Sequence, residues 1–205
     1  MLTIHHLGMS QSERIIWLCE ELGLPYELIR YEREPSMAAP PAYKALHPTG
    51  TAPIITDGDV TLAETGAIVE YIARRHAGGR LLLGPDDAGF APYLFWLHYA
   101  NGSILPAFMM DMTAKRLGAE PASARTDIAF ALAEQRLGEA DYFAGGEFTA
   151  ADILMGFPLT RLRAFSRRDI SGMPNIRAYL QRIGARPAFQ AARAKAEPGH
   201  KPNLD

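Results

Sequence analysis

A single cysteine in 205 residues excludes an intrachain disulfide and a CxxC redox pair, and it fits a reducing, cytoplasmic setting. Long uncharged apolar runs are missing too, so no segment is expected to span a bilayer. The first residues, MLTIHHLGMSQSER, lack the basic start and apolar stretch of an export signal, and export is not expected. Nor does charge of one sign dominate. Lys plus Arg number 21 against 23 Asp plus Glu, a formal charge of −2, which gives no electrostatic case for nucleic acid or an anionic membrane as partner. What is present is 48% hydrophobic residues, ample for one large core or two modest ones.

The first 78 residues alternate between strand and helix signals. Leu2 to Leu7 reads as a strand that runs through Gly8-Met9-Ser10 into a helix beginning near Gln11 or Ser12. Ile15, Leu18, Cys19 and Leu22 recur at helical spacing, and Gly23-Leu24-Pro25 ends that helix. Tyr26 to Tyr31 reads as a second strand, which implies a right-handed parallel crossover. A polar, proline-rich stretch and a weak helical turn at Ala42 to Leu46 follow. Thr51 to Thr56 and Val60 to Leu62 then form a hairpin across Asp57-Gly58, and Ile68, Val69 and Ile72 mark the next helix. The order βαβ then ββα is that of a thioredoxin-like domain. With no CxxC it is not a thioredoxin.

Residues 77 to 90 carry four glycines and a proline, a linker signal that places the domain boundary there. The expected division is residues 1–78, a linker at 79–90, and an all-helical domain over 91–205. Amphipathic segments cover roughly 91 to 115, 123 to 143, 150 to 165, 174 to 185 and 187 to 196. Pro106 is expected to kink the first of them, since it removes a ladder hydrogen bond and clashes with the preceding turn. Thr149 and Asp152 have the spacing of a capping box, and Phe148 can staple onto Ile153.

The stretch HPTGTAPIITDGDVTLAETGAIVEYI is the part of the chain that reads as a device. Pro53 sits at the mouth of a strand, where it marks an edge, a strand start or a cis turn. A cis bond would turn the Ala52 backbone outward, free to pair with an extended peptide. Glu64 and Thr65 fall at a helix N-terminus, which attracts a carboxylate, while the Glu64 carboxylate can hold an ammonium group. Such a site suits a small zwitterionic peptide, and glutathione is the obvious candidate.

The Ala52-Pro53 and Glu64-Thr65 pairs, WLCEELGLPYE near the start, the FTAADI capping box and MPNIRAYLQRIGARPAFQ together resemble the glutathione transferases, in that order and over most of the chain. The likeness is greatest to bacterial and fungal serine-type members. It implies an α/β N-terminal thioredoxin-like domain, an all-α C-terminal helical domain and a twofold dimer. Relatives usually have Ser where Thr65 stands, and often Lys, Gln or His in place of Thr51.

The chemistry so implied is attack of the glutathione thiolate on a small hydrophobic electrophile, with glutathione as co-substrate and no metal. A thiol with pKa about 8.5 is mostly protonated at pH 7, so a donor near the first helix N-terminus must favour the thiolate. Ser10 is the first choice, because SQSER resembles the serine-type loop with arginine four positions on; Ser12 is the alternative and His6 the reserve. His5 and His6 alternate, so only one faces a cleft. Cys19, in an apolar helical stripe, is rejected as nucleophile. Arg161, Arg163, Arg167 and Arg168 read as a solvated helix end rather than a polyanion site. Trp96, Tyr99, Asn101, Phe108, Met109 and Met112 are candidates for an adaptable electrophile wall between the domains, although helical spacing gives several of them to a core. Two other readings share these residues: glutathione-dependent peroxide reduction, and a transferase fold kept as a scaffold without turnover.

Overall fold

A computed structural model describes residues 1–120 and 124–205. The chain divides into two compact units: Met1–Leu82 with Arg186–Lys201, and Leu83–Ala185 with Pro202–Asp205.

In the first unit, strand β1 (Leu2–Leu7) leads to helix α1 (Glu13–Leu22), strand β2 (Glu27–Tyr31), the short helix α2 (Pro41–Lys44), strands β3 (Ile54–Asp57) and β4 (Val60–Ala63), and helix α3 (Thr65–Ala77). The four-stranded sheet has the order β2-β1-β3-β4, with β1 parallel to β2 and antiparallel to β3. Strand alternation sorts β1 between two faces. Leu7 joins Tyr43, Ile54 and Ala63 on the α2 side, while Ile4 and His6 face the other way. Gly23, in the left-handed conformation with φ 64°, ends α1 as the sequence suggests.

The second unit holds α4 (Phe90–Tyr99), α5 (Leu105–Arg116), α6 (Ala124–Glu139), α7 (Ala150–Phe157), α8 (Arg163–Ser166) and α9 (Pro174–Gly184). Helices α4 and α5 are joined without a break through a π-helical turn at Ala100–Ile104, just before Pro106. The expected irregularity is there, and it takes the form of a widened turn ahead of the proline. A second π-helical turn, Pro158–Leu162, begins at a proline and joins α7 to α8. Asp152 accepts the Thr149 N–H at 2.8 Å and the Phe143 N–H at 3.0 Å, so the capping box also anchors the preceding loop.

Helix α10 (Pro187–Ala196) belongs with the first unit, where the sequence division had placed residues 91–205 together. Its buried stripe, Phe189, Ala192 and Ala196, lies against α1, with the Phe189 ring edge-on to Trp17 at 4.9 Å. Ion pairs flank the stripe. Arg186 pairs with Glu21 at 2.6 Å, Lys195 with Glu20 at 2.6 Å, and Arg193 with Glu13. Arg163, assigned to a solvated end, is buried and donates to the Leu159 carbonyl at 2.9 Å, because α8 follows the π turn directly. Arg168 pairs with Asp127 at 2.7 Å and lies over the Phe130 ring.

Candidate active site

Three segments of the first unit end together at one edge of the sheet. The β1–β3 ladder stops at His5 opposite Ile54, and the β3–β4 ladder closes with Ile54 opposite Ala63. His6, Pro53 and Glu64 are the next residues beyond those ladder ends. The loop after β1, the Thr51–Pro53 segment and the Glu64–Thr65 corner therefore share one end of the sheet.

The Ala52–Pro53 peptide is cis. Pro53 is buried, Ala52 half-buried and Thr51 exposed; because β3 begins at Ile54, Ala52 stands outside the strand pairing. Glu64 is exposed and holds φ 76°, ψ 119°, a backbone region that non-glycine residues rarely adopt. Such strain persists where the surroundings impose it, commonly at a binding site. Glu64 does not cap α3 with its side chain, and the opening amides of that helix lack intrahelical partners by helix geometry. Thr65 is buried and donates its hydroxyl to Gln11 Oε1 at 3.3 Å.

Gln11, which the sequence did not single out, joins the first loop to the first turn of α3. Its Oε1 also accepts from Arg14 Nη2. Arg14 is fully buried; burial pulls its guanidinium down to about 9, with the Glu13 and then the Glu64 carboxylate holding it up. It stays a cation at neutral pH under the corner occupied by Glu64. Nothing in the spacing marks Gln11, since its Thr65 partner lies 54 residues away.

The three proposed activating groups form one hydrogen-bonded row. Ser10 Oγ lies 2.7 Å from Ser12 Oγ, and Ser12 Oγ lies 2.8 Å from His6 Nδ1. Ser10 is 6% exposed while Ser12 and His6 are 0% exposed, so only Ser10 of the three has surface to offer a ligand. Helix α1 begins at Glu13, just after the expected start near Gln11 or Ser12, and its N-cap Ser12 makes no side-chain capping bond because its hydroxyl is engaged in this row. His5, on the opposite face, lies 3.2 Å from both the Tyr31 hydroxyl and Thr56 Oγ1, and burial lowers its pKa against the raising pull of Glu27. Burial pushes the Cys19 thiol up to about 12, which leaves no thiolate for chemistry at neutral pH.

Of the proposed electrophile wall, Trp96 and Phe108 are core residues of the second unit. Trp96 lies against Phe143 at 4.7 Å and Phe108 against Phe130 at 5.7 Å. Helical spacing points both inward. Tyr99, Asn101 and Met112 are half-buried and Met109 is exposed.

Family models described as "Glutathione S-transferase, N-terminal domain" and "Glutathione S-transferase, C-terminal domain" match residues 8–75 and 95–187. Glutathione S-transferase 3 of Schizosaccharomyces pombe is 32% identical over 96% of this chain and 88% of its own length. The chain belongs to the glutathione S-transferase family. Glutathione S-transferase 1 of Saccharomyces cerevisiae is 27% identical over 96% of this chain and 95% of its own length. Among solved structures, a glutathione S-transferase from Actinobacillus pleuropneumoniae superposes with a TM-score of 0.87 at 31% identity, covering 100% of this chain and 99% of that one. A theta-class glutathione S-transferase of Xanthomonas axonopodis pv. citri, solved with glutathione bound, gives 0.73 at 25% identity, covering 93% and 96%. The family fixes the enzyme type, and the arrangement of a mixed four-stranded sheet followed by a helical unit agrees with it.

Proposed function

We propose that the chain binds glutathione at the shared sheet end and conjugates its thiolate to small hydrophobic electrophiles. The observation that carries this reading is the convergence of a strand-like edge at Ala52, an exposed carboxylate on a strained backbone at Glu64, and an uncapped helix start at Thr65. The tripeptide backbone pairs along Ala52, one carboxylate of the ligand meets the first amides of α3, and Glu64 takes its ammonium group. Thr51 stands where a further polar contact would form. Ser10 then faces the sulfur and donates to the thiolate, which attacks the electrophile as a carbon–sulfur bond forms and the leaving group, the epoxide ring oxygen or the conjugated carbonyl oxygen of an enal takes the electron pair.

Tyr99, Asn101, Met109 and Met112 remain the proposed wall for the electrophile. The active form is a twofold dimer, supported by exposed apolar side chains at Leu94, Phe95 and Met110, and it works in the cytoplasm.

Retention on immobilised glutathione, followed by assay against halonitroarenes, epoxides, enals and hydroperoxides, tests the reading. Retention with turnover of one of the first three classes is expected. Turnover of hydroperoxides alone would make the protein a peroxidase, and no retention would remove the site.

A further inference from the structure

The row of Ser10, Ser12 and His6 ends in a place that fixes the direction of its hydrogen bonds. His6 Nε2 lies 3.0 Å from the carbonyl of Ala196, the last residue of α10. A carbonyl only accepts, so Nε2 carries hydrogen and, in neutral His6, Nδ1 is the acceptor. Ser12 therefore donates to Nδ1 at 2.8 Å. The Ser12 oxygen in turn accepts the Leu7 N–H at 3.2 Å and the Ser10 hydroxyl at 2.7 Å. Ser10 Oγ accepts the Ser12 N–H at 3.2 Å. With neutral His6 the Ser10 hydrogen thus points inward, and a ligand meets an acceptor. Ser10 can donate to a thiolate and still keep its hydrogen bond to Ser12 if every bond in the row reverses, and that reversal puts hydrogen on His6 Nδ1.

We propose that His6 receives the proton of the glutathione thiol through Ser10 and Ser12, so that forming the thiolate and turning Ser10 into its donor are one event. The inference rests on the glutathione reading above. In the step, the S–H bond breaks and its proton passes to Ser10 Oγ. The Ser10 proton passes to Ser12 Oγ, and the Ser12 proton to His6 Nδ1. The products are a thiolate that accepts from Ser10 and an imidazolium that donates from Nδ1 to Ser12 and from Nε2 to Ala196. No electron is transferred and no co-reactant is needed. Ser10 is the catalytic residue of this step; Ser12 and His6 act through it as positioning residues.

The surroundings of His6 suit a transient cation. Glu197 Oε1 lies 3.7 Å from Nε2, and its carboxylate is held by the Met9 N–H. The C-terminal end of α10 presents the negative pole of the helix dipole to the same nitrogen. Against these stands Arg30, paired with His6 across the β1–β2 register, whose Nη1 shares the Ala196 carbonyl at 2.7 Å. Arg33 lies close enough to Glu197 for their charges to interact. Imidazole is the side chain that takes up and returns protons near neutral pH.

The test counts protons. Wild-type protein is titrated with glutathione near neutral pH in buffers of different ionisation enthalpy, while thiolate is followed by its ultraviolet absorbance and the His6 imidazole by nitrogen-15 NMR. The expected result is thiolate formed with well under half a proton released per thiolate, and His6 converted from neutral to imidazolium. S-methylglutathione, which has no thiol proton, is expected to leave His6 neutral. Ser12→Ala is expected to restore about one proton released per thiolate, or to lose the thiolate at that pH, and Ser12→Thr to recover wild-type behaviour. One proton released per thiolate with His6 neutral in the wild type would overturn the relay and leave the glutathione site standing. Absence of binding would remove both.

Discussion

Glu64 carries its meaning in its backbone as much as in its charge. A carboxylate that caps nothing, held at φ 76°, is poised for an external partner. Glu64→Gln keeps the backbone demand and removes the charge, so glutathione affinity should fall by roughly tenfold to a hundredfold, the worth of a charge-assisted bond of about 1.5–3 kcal/mol. Calorimetric titration checks it, and unchanged affinity would detach Glu64 from the site. Cys19 makes the converse case. Its thiol is pushed up to about 12 by burial, so Cys19→Ser should leave turnover per folded molecule within a small factor. A collapse of turnover in folded protein would return Cys19 to the chemistry. At this scale the sequence named Ser10, Ser12, His6, Pro53, Glu64 and Thr65, because strand alternation, turn chemistry and helix starts are local. It missed Gln11, Ala196 and Glu197, whose contacts with the site span 54 to 190 residues of chain.

Helix α10 was legible as an element but not in its place. An amphipathic stripe states that one face is buried and not what buries it, and Phe189 finds Trp17 in α1. Phe189→Ala should cost about 3–5 kcal/mol through lost transfer energy and a cavity. Urea unfolding measures this; a loss under 1 kcal/mol would mean that α10 is not a structural member of the first unit. The Thr149–Asp152 cap was legible from four residues, yet its electrostatics were not. Burial raises the Asp152 carboxyl to about 6, against the lowering pull of hydrogen bonds from Phe143, Thr149 and Tyr179. A folded-state pKa above the ordinary aspartate value makes a contribution that is present below about pH 3.9 and lost as pH rises through about 6. The stability of wild type relative to Asp152→Asn should therefore fall by about 2 kcal/mol between pH 4 and 7. A difference that is flat or rises with pH would contradict the assignment.

At the scale of the whole molecule, the βαβ and ββα order and the helical second half could both be read in advance, since each rests on periodicity and turn residues. The division between units was not fully legible, because the chain returns to the first unit at Arg186 after leaving it at Leu82. The electrophile wall was least legible, since helical spacing cannot separate a core aromatic such as Trp96 from a half-buried one such as Tyr99. Leu94, Phe95 and Met110 are exposed, and light scattering after gel filtration should give the mass of two chains at micromolar concentration. A single-chain mass would remove the dimer.

The claim that binds these scales together is that Ser10 holds the glutathione sulfur as thiolate. The most direct measurement is ultraviolet titration of the thiolate in the bound complex, for wild type and folded Ser10→Ala. The hydroxyl contributes a bond to a charged group, so its loss should raise the apparent pKa of the bound thiol by about one to two units while glutathione affinity changes little. Turnover at neutral pH should drop roughly tenfold to a hundredfold and recover in part at higher pH. An unchanged thiol pKa in Ser10→Ala would contradict the account.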